Sequence, residues 1–343
     1  MIRTLSLLFT ASLAACASVD ERPLTDLSVP SVTAKVETEA VKSSDDAADD
    51  PAIYINLADP SQSLILGTDK QAGLYVYGLD GAVKQFLPSG RLNNVDLRQG
   101  GDVALMVASN RSDDSVVIFA LEDGVVAETG RFSAIRPEPY GICMALLPNS
   151  SALAAVTHKG GEVDLYQFSS LDGGNARHVQ TLELGSQLEG CVFDEENNTF
   201  FVGNEETGIF RYAMDEQGRF VDIPYTVDLV GGETGVAADV EGLALYKGPT
   251  SQDGFLIASS QGNNTYAVYS RNGEAFLGRF RIASDAATGI DGTEETDGLD
   301  ITSASLPGYP GGLLVVQDGF NDPGDKQNFK LVSWDEVAAA LGL

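Results

Sequence analysis

Leu64-Ile65-Leu66-Gly67-Thr68 is an apolar run that enters a polar turn and returns as Leu74-Tyr75-Val76-Tyr77. Branched and aromatic residues on both sides of a glycine-bearing turn read as a β-hairpin. The pattern recurs as Ala104–Ser109 with Val116–Phe119, Leu153–Thr157 with Val163–Tyr166, Phe200–Asn204 with Ile209–Tyr212, Phe255–Ser259 with Tyr266–Tyr269, and Leu313–Val316 with Phe329–Val332. A shorter element precedes each hairpin: Asp50–Tyr54, Asn94–Leu97, Tyr140–Cys143, Glu189–Val192, Glu241–Ala244 and Asp297–Asp300. The units start roughly 40 to 60 residues apart, the spacing of propeller blades with variable loops. A parallel α/β fold would need amphipathic helices between the strands, and there are none. The sequence therefore predicts an all-β, six-bladed β-propeller over residues 31–343; the even repeat disfavours two separate β domains. One helix is expected at the end, with Ser333 and Glu336 as a capping box and Gly342 as the stop.

Composition narrows the function. The chain has 343 residues, 50 Asp+Glu against 21 Lys+Arg, and a formal charge of −29. That balance excludes a nucleic-acid binder, which needs a basic footprint. Two histidines exclude sites built from several imidazoles. A surplus of carboxylates suits hard cations such as calcium.

At the N-terminus, Arg3 and the apolar run Leu5–Ala15 read as an export signal, too short for a membrane-spanning helix. Leu13-Ala14-Ala15-Cys16 resembles the bacterial lipoprotein signal, so residues 1–16 are expected to be a signal peptide with lipidation at Cys16 and residues 17–30 a tether. The expected location is periplasmic or cell-surface, membrane-bound only through the lipid; ordinary cleavage and secretion is the alternative. Cys143 and Cys191 sit in apolar segments and read as buried free thiols.

In a propeller the first strand of each blade lines the central channel. The residues opening those strands are Asp50, Asn94, Tyr140, Glu189, Glu241 and Asp297, a ring whose carboxylates need cations to neutralise them. Oxygen-only ligation points to calcium or magnesium, with calcium preferred for a flexible, many-ligand site. Just beyond the second strands stand Lys70, Arg111, Lys159, Glu205, Gln261 and Asp318. Three blades thus offer cations, and basic groups beside bound metal make a receptor for an anionic ligand such as phosphate.

Longer motifs then become specific. Asp46–Ile53, Gly90–Asp96, Ala108–Ser112, Asp239–Leu243, Ala258–Asn263, Thr296–Asp300, Gln317–Gly319 and Gln327–Lys330 resemble, in order, segments of the β-propeller phytase (3-phytase) family. The resemblance implies a six-bladed propeller that hydrolyses phytate, myo-inositol hexakisphosphate, with several calcium ions, a metal-activated water and no phosphoenzyme. By motif position it implies that Lys70, Arg111, Tyr140 and Lys159 contact substrate phosphates. Asp49, Glu189, Glu205, Glu241 and Asp297 would hold the active-site calcium ions, and Asp50, Asp291 and Asn321 would serve stabilising calcium sites. Gln71 departs from a second lysine found in many members, and Gly160 from an acid in some. The expected partner is phytate or its calcium complex, acted on by a monomer that binds no nucleic acid. A histidine phosphatase is excluded because His178 lacks the surrounding motif, and a cysteine phosphatase because Asn149 and Asn197 stand where its arginine is required. The competing reading is a non-catalytic, calcium-stabilised surface propeller, since fold alone does not fix function.

Overall fold

The computed structural model describes residues 23–343 apart from 101, 102, 149, 222, 323 and 325. The signal sequence, Cys16 and the first part of the expected tether lie outside the described residues. Six sheets follow one another, and four of them are built from four consecutive antiparallel strands. In the first blade these are Ala48–Tyr54, Leu64–Asp69, Gly73–Gly78 and Val83–Leu87. The inner strands of the next five blades are Leu92–Gly100, Ile142–Leu146, Leu188–Asp194, Val240–Lys247 and Leu299–Thr302. Each inner strand touches the one before and the one after, and the sixth touches the first, so the ring is closed. The six-bladed propeller predicted by the repeat is the fold.

The core lies between blades. Leu66 and Val76 of the first blade pack against Met106 and Phe119 of the second, and the same layer recurs at every seam, ending with Tyr75 and Tyr77 against Val315 and Phe329 across the closure. Burial of these apolar faces is what stacks the blades. The seam between the third and fourth blades has a covalent addition. Cys143 and Cys191 are joined as a disulfide, with Cα atoms 5.8 Å apart. The expectation of two free thiols is therefore corrected. The residues are 48 apart in sequence, but successive inner strands are neighbours around the channel, which brings their β-carbons together.

Each blade also has an outer strand that the hairpin pattern does not contain, such as Val125–Ser133 or Arg177–Glu183. These rim strands are half-exposed and polar, so their alternation is weak. In the sixth blade the outer strand is Val36–Glu37, from the start of the domain, paired with Leu331 and Lys330. Ser31–Thr33 adds a parallel edge to the fifth blade. The described end of the expected tether is docked there too, through Asp26 to Arg279 at 2.8 Å and Thr25 Oγ1 accepting from Asn264 Nδ2 at 3.0 Å. The terminal helix, Trp334–Leu341, ends at Gly342 in the left-handed region as expected. The capping box does not form: Ser333 makes no side-chain cap, and Glu336 turns instead to Lys35 at 3.2 Å.

Candidate active site

Inner strands start, and second strands end, on one face of the ring. Ala48 pairs with Asp69, Leu92 with Asn110, Leu188 with Asn204 and Val240 with Ser260. Just after each of these pairs the register slips, at Ala48/Pro51, Leu92/Val95, Leu188/Cys191 and Val240/Leu243. A bulge re-aims side chains and is frequent beside functional sites. Here the same bulge in four blades contains Asp49, Asn93, Glu189 and Glu241.

The ring is consequently shifted by one residue in the first two blades. Asp49 and Asn93, not Asp50 and Asn94, match Glu189 and Glu241. Asn93 Nδ2 donates to Glu189 Oε1 at 2.8 Å, whereas Asp50 and Asn94 line the channel cavity of about 310 Å³ on its deeper side. There the Asp50 carboxylate accepts from Val95 N at 3.1 Å. The signal for Asn93 was present: Glu189, Glu241 and Asp297 each precede a glycine, and placing Asp50 and Asn94 at the glycine position exposes Asp49 and Asn93.

One carboxylate oxygen from each of Glu189, Glu205 and Glu241 lies within 4.8 Å of the others, and all three residues are buried. Burial, reinforced by Glu189, pushes Glu241 well above the carboxylate range and Glu205 up to about 8. Asp49 is raised as well, by burial above all. Asp297 rises by burial to about 6, held back by the Lys70 ammonium. Lys70 Nζ lies 2.8 Å from Asp297, 2.6 Å from Asp46 and 3.1 Å from Asp49. It is inside the acid ring. Gln261 Nε2 donates to the other Asp297 oxygen at 2.6 Å.

The basic residues divide differently from the linear reading. Lys70, Arg111, Glu205 and Gln261 each follow the last residue of a second strand, but in the third blade that position is His158 and in the sixth Gly319. Lys159 sits one residue further, exposed in the turn, with its ammonium over the Tyr140 ring at 4.4 Å. Tyr140 OH accepts from Gln187 Nε2 at 3.5 Å, and burial beside Glu189 pushes the phenol well above its usual range. The buried Arg111 Nε has no hydrogen-bond partner among the described residues. Gln71 faces no ligand position; its amide donates to Ser44 O at 2.7 Å and Asp46 O at 3.1 Å, fixing the loop that carries Asp46. Gly160 follows Lys159 in the same turn.

Asp291 and Asn321 are brought together, and at the sixth blade they surround a cation of the protein itself. The buried Lys330 ammonium contacts Asp291, Asn321 at 2.9 Å, Asp318 at 3.2 Å and Glu37 at 2.5 Å. Asp50 is not part of that group.

The mouth can hold hard cations. Asp49 Oδ1, Glu205 Oε1, Glu241 Oε2 and Asn93 Oδ1 are buried without hydrogen-bond partners, a cost that a cation bound among them removes. An oxygen-only donor set suits calcium or magnesium.

A closed propeller whose mouth gathers buried carboxylates, with Lys70 and Lys159 beside them, could hold a metal ion next to an anion. The chain belongs to the phytase family, whose model matches residues 2–343. It is an enzyme, a hydrolase of that family. The 3-phytase of Bacillus subtilis (strain 168) is 37% identical over 338 residues, covering 91% of this chain and 85% of that protein. Among solved structures, BBS1N in complex with ARL6DN matches at a TM-score of 0.49 and 11% identity over 78% of this chain and 74% of that one. The β-propeller domain of Myceliophteria thermophila Cps50 (Swd1) matches at 0.48 and 9% over 82% of each.

Proposed function

We propose that this protein is a calcium-dependent phytase that releases inorganic phosphate from myo-inositol hexakisphosphate. The observation that carries the reading is the three-glutamate cluster at a mouth that also presents Tyr140, with Lys159 over its ring and Arg111 just beyond a second strand that ends on the same face. Glu189, Glu205, Glu241, Asp49 and Asp297 would hold calcium. When bound, calcium supplies charge that acidifies a water and offsets a polyanionic substrate. The chain's own residues do the rest. Asn93 orients Glu189 through its 2.8 Å hydrogen bond. Arg111 and Lys159 stabilise charge developing on the phosphoryl oxygens, and the Tyr140 ring steadies the Lys159 ammonium. Asp50, Asp291 and Asn321 act away from the reacting phosphate, Asp50 in the channel and the other two around Lys330.

We propose further that the protein acts after export, held to a membrane by a lipid on Cys16. The expectation that it works as a monomer stands beside this.

The test separates the metal half from the phosphate half. Glu189→Gln removes one charged ligand and should abolish turnover by weakening calcium binding. Lys159→Ala should leave calcium binding intact and lower kcat/KM by roughly one to three orders of magnitude. Calcium titration and phosphate-release kinetics read both. If Lys159→Ala lost calcium while Glu189→Gln kept full turnover, the division would be wrong.

A further inference from the structure

Lys70 is in the wrong state for the role its position suggests. An ammonium has three N–H donors and no acceptor, and the Lys70 ammonium meets three carboxylates, Asp46, Asp49 and Asp297, at 2.6 to 3.1 Å. Its side chain is only 10% exposed. Its hydrogen bond goes to Asp297 Oδ2 and its charge is shared with Asp46 and Asp49, so the ammonium is engaged by the protein's own carboxylates. Meanwhile Glu189, Glu205 and Glu241 have no Lys or Arg within ion-pairing distance among the described residues, so the ring is half neutralised by the protein and half bare.

A calcium ion held by Asp49 and Asp297 would compete with Lys70, whose ammonium sits at Oδ2 of each, even though Asp49 Oδ1 is buried without a hydrogen-bond partner. Two cations cannot share those oxygens at ligand distance without strong repulsion. The geometry points to a hand-over: Lys70 is the internal counter-ion of the metal-free ring, and calcium loading at Asp49 and Asp297 displaces its ammonium toward the mouth, where it becomes available to a substrate phosphate. This inference rests on the calcium reading above.

Lys330 illustrates the contrast. It too sits among acids, but it is wholly buried and has Glu37, Asp291, Asp318 and Asn321 around it. Lys70 lines the open mouth beside Tyr140, Glu205 and Asp297, and its third partner Asp46 is an exposed side chain, 75% accessible. The lysine therefore has somewhere to go. Its displacement makes metal and phosphate cooperative, and by linkage the coupling is reciprocal.

The test uses the full chain and two probes, calcium alone and inorganic phosphate. The relevant calcium-binding step is identified in calorimetry as the one that Asp297→Asn removes. Lys70→Met should bind calcium in that step about tenfold tighter or more, within the usual range of coupling between sites. The same variant should melt lower without metal, yet equal the parent at saturating calcium. Phosphate binding by the parent should strengthen on adding calcium, and Lys70→Met should lose that gain. Lys159→Met is the control for charge alone; its exposed ammonium is screened, and the calcium step should move by less than about threefold. Lys70→Arg keeps the charge and engages carboxylates bidentately, so it should weaken the step, and it serves if Lys70→Met does not fold. An unchanged or weaker calcium step in Lys70→Met overturns the hand-over while leaving the calcium reading intact. So does an equal gain in Lys159→Met, or a tighter step in Lys70→Arg. If the parent binds no calcium at all, the calcium reading falls and the hand-over with it.

Discussion

Replacing both Cys143 and Cys191 by alanine removes the one covalent tie between blades that the described residues contain. The two are 48 residues apart, and the chain-entropy relation for a loop of that length gives about 4 kcal/mol of lost stabilisation at 25 °C. Alanine avoids the further cost of burying two hydroxyls, since both sites are under a tenth exposed. For a chain of this size roughly 2 °C of melting temperature accompanies each kcal/mol, so the variant should melt about 8 °C lower. The bridge also lies two residues beyond Glu189 and three beyond Tyr140, so its loss loosens the seam that carries both. Melting curves at saturating calcium compare the parent, the double variant and the parent kept in reductant; the last two should coincide. Alkylation of the unfolded, unreduced parent should modify neither cysteine. Equal melting temperatures for parent and variant, or two alkylated thiols in the unreduced parent, would show that the bridge does not hold the seam.

The metal-free protein should lose stability as pH rises. Glu205 is raised from 4.5 to about 8 and Asp297 from 3.8 to about 6, both chiefly by burial; the folded state therefore holds more protons than the unfolded state across that window, and the stability these groups lend at low pH disappears by about pH 8. Chelated protein melted between pH 5 and 8 checks this, and a flat or rising profile contradicts it. Asn93→Leu removes the buried amide that donates to Glu189 and Asn94 at 2.8 and 2.7 Å and should cost about 2 to 4 kcal/mol in urea unfolding of the metal-free protein, the scale of one charge-assisted and one neutral hydrogen bond; a loss under about 0.5 kcal/mol would show that Asn93 does not support Glu189. Cys16→Ser should shift the protein from the membrane fraction to the soluble one, and unchanged fractionation would end the lipid-anchor proposal.

The fold was legible because inner and middle strands are buried on both faces and read as continuous apolar runs. The rim strands were not, since Arg177–Glu183 and its counterparts face water on one side, and the closing strand Val36–Glu37 is only two residues long. Glu189 and Glu241 were legible as glutamate followed by glycine, and Asp49 and Asn93 follow from the same pattern once Asp50 and Asn94 are aligned with those glycines; Glu205, followed by Glu206, lacks that signal. The disulfide escaped because pairing depends on which strands adjoin around a channel, and the two cysteines taken singly suit an apolar wall equally well. The partners of Lys70 were not legible either: Asp46, Asp49 and Asp297 come from opposite ends of the chain and meet only when the ring closes.

Calcium dependence is read from phosphate release from phytate by the purified protein, measured with saturating calcium and again after complete chelation. Turnover is expected in the first condition, its loss in the second and its recovery when calcium is restored. Undiminished hydrolysis under chelation, or no hydrolysis with calcium, would contradict a calcium-dependent phytase.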